Sequence, residues 1–136
     1  MKIDCISDLH GWYPQLVGGD LLIIAGDLTA RHTEKEFYEF SEWAGSQDYD
    51  NIIVIAGNHD AWLEKASKEK IKDWSDFGSF TYLCDSGVEM VTQGNRLKIW
   101  GSPWSPLFKE VNPKCMAFMK EDRDLFDQWE MIPAGS

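Results

Sequence analysis

The sequence predicts an α/β fold in which a mixed sheet is flanked by helices. Three observations point to it. Three short β-branched apolar runs each lead into a loop crowded with Gly, Asp, His or Asn. An amphipathic helical stretch separates the second run from the third. After Phe77 the pattern changes to short apolar runs divided by turn residues, the signature of antiparallel strands.

The elements follow in order. Ile3 to Ile6, Leu21 to Ala25 and Ile52 to Ala56 are continuous apolar runs bounded by turn residues, as expected of strands covered on both faces. Thr33-Glu34-Lys35-Glu36 reads as a capping box that starts a helix, the Thr33 hydroxyl facing the amide three residues on and Glu36 reaching back. Phe37, Phe40, Trp43 and Ala44 recur at three- and four-residue spacing, and Gly45 is the stop signal. The unit is therefore β-α-β, with a right-handed crossover. A second helix is expected across Leu63 to Trp74, with Ala66, Ile71 and Trp74 inward. Phe80 to Cys84, Val88 to Thr92 and Leu97 to Trp100 read as strands divided by Asp85-Ser86-Gly87 and Gln93-Gly94-Asn95. Two prolines keep the loop from Gly101 to Pro106 extended. A last helix, roughly Glu121 to Met131, places Leu125, Trp129 and Ile132 on one face.

Length and composition bound the function. The chain has 136 residues, one domain at about 100–200 residues each. With 43% hydrophobic residues and seven Trp it is far from the composition of disordered chains. The formal charge of −10 argues against a sequence-independent grip on nucleic acid or on anionic lipid, both of which need clustered Lys and Arg. Cys5, Cys84 and Cys115 are odd in number and contain no C-x-x-C pair, so they read as buried small hydrophobes in a reducing compartment. Neither a signal peptide nor a membrane span is legible, which gives a cytoplasmic expectation. Trp100 and Trp104 are read as packing residues.

The strand-end loops hold Asp8, His10, Asp27, Asn58, His59 and Asp60. Ligands of open α/β sheets bind at such strand ends. Carboxylate, amide oxygen and imidazole without thiolate suit Mn, Mg, Fe or Zn. Asp8 and His10, two apart on an extended segment, share one side and can take one ion. Asp27 can offer an oxygen to each of two ions, and Asn58 its amide oxygen to the second. The set reads as a two-metal phosphoryl site.

Asp-x-His, Gly-Asp and Gly-Asn-His-Asp in this order, each after an apolar strand, resemble the calcineurin-like metallophosphoesterase family. Lys98 to Pro106, with its Trp-Gly-Ser-Pro-Trp core, is similar to the branch of metallophosphoesterase-domain-containing proteins. The resemblance runs from Lys2 to about Gly135. It implies a four-layer αββα sandwich and hydrolysis of phosphomonoesters or phosphodiesters by metal-activated water. It also implies roles: Asp8 and His10 on the first metal, Asp27 as bridge, Asn58 on the second metal, and His59 as the histidine that contacts phosphate and protonates the leaving group. Arg31 falls where many relatives carry a phosphate-contacting arginine. Ala30 stands where phosphoprotein phosphatases have an aspartate that orients the histidine, and Asp60 is a substitute for it. The family completes its site with a histidine on a later strand and a Gly-His-x-His motif, whereas this sequence has only His10, His32 and His59. The expectation is a C-terminally truncated domain with about half of the coordination shell and impaired activity.

Bland readings stand beside these. Asp8, Asp27, Asn58 and Asp60 are also turn and cap formers, Arg31 is also a surface charge, and His32 reads as a loop residue ahead of the helix. An alternative function is a non-catalytic half-domain that self-associates as a homodimer or pairs with a C-terminal half supplied by another chain, through apolar surface left uncovered. A nucleotide-binding βαβ domain ranks last, because no G-x-G-x-x-G follows the first strand.

Overall fold

The computed structural model describes residues 1–107 and 115–136. Strands β1 (Ile3–Ile6), β2 (Gly19–Ala25), β3 (Tyr49–Ile55) and β4 (Thr81–Tyr82) form one parallel sheet in that order. Alternation divides the apolar runs between two faces. Leu22, Ile24, Ile52 and Val54 point to one side, into the main core. Leu21, Ile23, Ile53 and Ile55 point to the other, into a second cluster. Both faces of β2 and β3 are covered, and so their runs are continuous rather than alternating, whereas β1, expected to be covered as well, lies at the sheet edge and leaves Ile3 and Cys5 exposed.

Helix α1 (Glu34–Gly45) covers the first face with Phe37, Phe40 and Ala44. Its capping box forms as expected: Thr33 Oγ1 accepts from Glu36 N at 3.3 Å, and Glu36 Oε2 accepts from Thr33 N at 3.1 Å. Thr33→Ala should lower unfolding free energy by about 1 kcal/mol, measurable by denaturant titration; an unchanged midpoint would refute the role of the cap. Helix α3 (Lys68–Phe77) lies beside α1 and buries Trp74 completely. Trp74 Nε1 donates to Phe37 O at 2.7 Å, and Ser41 Oγ donates to Trp74 O at 3.2 Å. The indole thus joins the two helices while filling the core.

The single helix expected from Leu63 to Trp74 is two. Helix α2 (Ala61–Lys65) ends at Ala66, whose backbone is extended, and Ser67 caps α3 by accepting from Lys70 N at 3.3 Å. A serine with a free N-terminal turn ahead of it competes as a cap, which breaks the helical run.

Strands β5 (Ser86–Thr92) and β6 (Asn95–Gly101) form an antiparallel hairpin over the second face. Val88, Met90, Leu97 and Ile99 pack there against Leu21, Ile53 and Leu83. Gln93 and Gly94 both have positive φ, 48° and 72°, as the tight two-residue turn requires. Beyond the hairpin, β7 (Ser105–Pro106) pairs in parallel with β8 (Met119–Lys120), and α4 (Asp122–Trp129) follows. Trp104 is packed as expected: its Nε1 donates to Asp85 Oδ2 at 2.6 Å, and Lys120 Nζ sits 4.1 Å from its ring centre.

Helix, parallel sheet and second sheet therefore stack in the order anticipated, an α/β architecture with parallel and antiparallel strands. Two expectations need correction. Leu125 is buried, but Trp129 and Ile132 are 49% and 45% exposed, because α4 docks on β7 through one side only. Cys5 and Cys84 are exposed and Cys115 alone is buried; Cys5 lies on edge strand β1, where the hairpin does not reach. No helix among the described residues is long and apolar enough to cross a membrane.

Candidate metal centre

The loops after β1, β2 and β3 meet at one end of the sheet. Past the last strand residues, the first two loops continue a ladder: Asp8 N donates to Gly26 O at 3.1 Å, His10 N to Asp27 O at 2.9 Å and Gly11 N to Leu28 O at 3.2 Å. Asp8, His10 and Asp27 all have left-handed backbones, with φ of 56°, 46° and 56°. Asp and His tolerate this region better than most residues, and the ladder holds them there. Such conformations gather at functional sites, where surrounding structure over-determines them.

The second and third loops nest closely enough to exclude side chains. A Cβ on Gly57 would fall 2.2 Å from Asp27 Oδ1, and one on Gly26 would fall 2.8 Å from the Gly57 backbone. Two glycines thus let the Asp27 carboxylate reach the third loop, where Oδ1 accepts from His59 N at 3.0 Å.

Asp60 sits beneath this junction and is fully buried. Its carboxylate accepts from Gly57 N at 2.7 Å, Asp27 N at 2.8 Å and Leu28 N at 3.0 Å. Burial pushes its pKa up to about 7 against the lowering effect of these amides. Both oxygens serve the backbone of the two loops, so Asp60 braces the site rather than facing a substrate.

Above Asp60, His10 Nε2 lies 3.8 Å from Asp27 Oδ2 and 3.9 Å from Asp8 Oδ1. The His10 and His59 rings meet edge to face, 4.6 Å between centres. Ligand atoms of His10, Asp27 and His59 all lie within 4.8 Å of one another. Asn58 Nδ2 donates to Cys115 O at 2.8 Å, which leaves Oδ1 free to accept or to ligate. The ion pairs of Asp8 and Asp27 among the described residues are with His10 and not with Lys or Arg. Unneutralised carboxylates beside imidazole nitrogens fit a divalent cation.

Arg31 stands exposed at the edge of the site. Its backbone N donates to Glu36 Oε2 at 3.1 Å, and its side chain is in none of the ion pairs among the described residues. The structure does not bring it into the cluster.

The arrangement includes one histidine that the sequence reading placed outside the site. His32, with φ 60°, is half-buried, and its ring centre is 5.8 Å from that of His59. Its Nδ1 is buried without a hydrogen-bond partner. Burial, then the nearby His59, lowers its pKa. The only signal in the sequence is a position just beyond the Asp27 loop.

The chain matches the family model described as calcineurin-like phosphoesterase over residues 1–128. It is 33% identical over 153 residues to metallophosphoesterase domain-containing protein 1 of Homo sapiens, covering 96% of this chain and 44% of that protein. It is 32% identical over 150 residues to a UPF0046 protein of Caenorhabditis elegans, covering 98% and 50%. A third relative, probable rhamnogalacturonate lyase C of Emericella nidulans, is 36% identical over 140 residues, covering 98% and 13%. The chain thus spans half or less of the length of each of these relatives. A match through 128 residues, carried by a fold that gathers the same strand-end carboxylates and imidazoles, has one reading: the chain belongs to the calcineurin-like phosphoesterase family.

Proposed function

We propose that this chain carries the strand-end half of a metal-dependent phosphoesterase centre, in which Asp8, His10, Asp27 and Asn58 hold divalent ions (Mn, Fe, Zn or Mg). The observation that carries this reading is the convergence, from the ends of three strands, of the His10 and Asp27 ligand atoms with the His59 imidazole beside them, all within 4.8 Å of one another. Bound there, such ions supply an activated water and neutralise charge on the phosphate oxygens.

The chain's own residues do the rest. Asp27 offers Oδ2 toward His10 while its Oδ1 accepts from the His59 backbone N–H, which ties the His59 backbone to the carboxylate that would hold the ions. His59 presents its ring beside His10 and gives a proton to the leaving oxygen. Arg31, exposed beside His32, is the positive charge assigned to the phosphate of a seated substrate.

All three histidines of the sequence lie in this region, so the family's later histidine ligands have no counterpart in it. The expected result is measurable but weak Mn²⁺ binding by calorimetry. Hydrolysis of a chromogenic phosphodiester should be far slower than the roughly 1–10³ s⁻¹ usual for enzymes. Turnover at ordinary rates would overturn the incomplete shell, and failure to bind Mn²⁺ at all would overturn the centre itself.

A second reading, self-association or pairing with a separate C-terminal half, draws on the exposed Phe126, Trp129, Met131 and Ile132, which are 45–61% exposed along one short segment. Apolar groupings of this kind mark interfaces. Sedimentation velocity should show concentration-dependent association; a monomer at all concentrations that also ignores an added C-terminal half sinks this reading.

A further inference from the structure

We propose that His32, His59 and Cys115 form a second, softer metal site that takes zinc and, when filled, withdraws His59 from phosphate chemistry. The second half of this statement rests on His59 attending the phosphate, as proposed above; the site itself does not.

The ligand atoms of the three residues all lie within 4.8 Å of one another. Tetrahedral zinc, with Zn–N of about 2.0 Å and Zn–S of about 2.3 Å, needs two nitrogens and one sulfur about 3.3–3.5 Å apart. A small rotation of side chains closes the difference. The donor set differs in kind from the carboxylate-rich one beside it: two imidazoles and one sulfur select zinc over Mg or Mn.

Two observations argue that the cluster is built rather than incidental. His32 Nδ1 is buried without a partner, which is unfavourable unless something engages it. Cys115 is 8% exposed, and its segment is pinned to the His59 loop from two directions: Asn58 Nδ2 donates to Cys115 O at 2.8 Å, and Ala117 N donates to Asn58 O at 3.2 Å. The fold thus brings a sulfur from far along the chain to the loop that holds His59 and fixes it there. A hollow of about 360 Å³ lined by His32, Ala61, Trp62 and Lys65 opens beside the cluster and leaves room for a fourth ligand from solvent.

Filling the site is coordination without redox. The Cys115 thiol releases one proton to solvent, sulfur and the two neutral imidazoles donate lone pairs, and water takes the fourth position. An imidazole committed to this ion no longer holds the proton that a leaving oxygen requires, so zinc becomes an inhibitor at concentrations that fill this site.

Cobalt(II) in place of zinc gives the test, because cobalt–thiolate charge transfer is visible in the near ultraviolet without any turnover. The chain with Cys5→Ser and Cys84→Ser, in which Cys115 is the sole thiol, should show that band together with tetrahedral d–d absorption, both erased by excess zinc. Adding Cys115→Ala should remove the band, and His32→Asn, which suits the left-handed backbone, should weaken cobalt binding at least about tenfold. Circular dichroism verifies folding. If Cys115→Ala does not fold, X-ray absorption at the zinc edge of the parent chain decides by finding one sulfur or none. No charge-transfer band, a band that survives Cys115→Ala, or a sulfur-free shell overturns the proposal. Mn²⁺ binding in the same samples separates the two claims: cobalt–thiolate absorption without Mn²⁺ binding leaves this site standing while the phosphoesterase reading falls.

Discussion

Replacing Asp60 by alanine is expected to lower the unfolding free energy by about 3 kcal/mol and to abolish Mn²⁺ binding, although the residue ligates nothing. Three backbone amides, of Gly57, Asp27 and Leu28, donate to its carboxylate at 2.7–3.0 Å in a fully buried position. Each buried amide left without an acceptor costs about 1–3 kcal/mol. Part of that total is offset, because the carboxylate is itself held against desolvation, as its raised pKa of about 7 shows. Asp60→Asn keeps one acceptor oxygen but turns an amino group toward an amide donor, so an intermediate loss is expected. The metal effect follows from geometry. Without the brace, the Asp27 and Gly57 loops no longer nest at a distance that excludes even a methyl group, and Asp27 Oδ1 loses its fixed relation to His59 N. Urea unfolding of the two variants, read beside calorimetric titration with Mn²⁺, checks both parts. A stability within about 0.5 kcal/mol of the parent, the range of an ordinary surface change, would show that Asp60 braces nothing.

Asp60 also marks the limit of what could be read from residue order. Local signals were legible: Thr33 and Glu36 announced the start of α1, Gln93-Gly94 announced the hairpin turn, and three apolar runs ending in Asp, His and Asn announced the strand ends where the site assembles. Each depends on neighbours within a few positions. What was not legible depends on contacts between distant segments. Nothing near Asp60 in sequence says that its carboxylate will meet the amides of Asp27 and Leu28, some thirty residues earlier. Spacing likewise cannot bring Cys115 to His32 and His59, since that depends on the hydrogen bonds between Asn58 and the backbone of Cys115 and Ala117. The break between α2 and α3 is not legible because Ala66 and Ser67 are tolerable inside a helix, and only the capping geometry shows that Ser67 begins a new one. Trp129 and Ile132 match a helical stripe, but a stripe requires a partner surface, and α4 meets one only at Leu125.

Asp27→Asn should have the opposite profile from the Asp60 variants, losing the metal and keeping the fold. The substitution is isosteric, and an asparagine oxygen in place of Oδ1 still accepts from His59 N, now 3.0 Å away. Its amino group takes the place of Oδ2, 3.8 Å from His10 Nε2, where a cation would otherwise meet a carboxylate. Removing the central anionic ligand should weaken Mn²⁺ binding by at least about 100-fold, the upper end of what loss of a mere supporting partner produces. Stability of the metal-free chain should stay within about 1 kcal/mol and move upward, because the Asp27 charge is one of the factors that raise the Asp60 pKa and neutralising it relieves that repulsion. This is the trade expected where a site is arranged for function against local stability. Thermal unfolding with and without Mn²⁺ reads both effects at once. At a concentration 100 times the dissociation constant the parent gains about 2.7 kcal/mol from the ion, and the variant should gain almost none. A variant that is equally stabilised by Mn²⁺ would place the ion somewhere other than Asp27. A variant that loses stability in the metal-free state would mean that the carboxylate charge, and not the Oδ1 hydrogen bond, holds the β2 and β3 loops together.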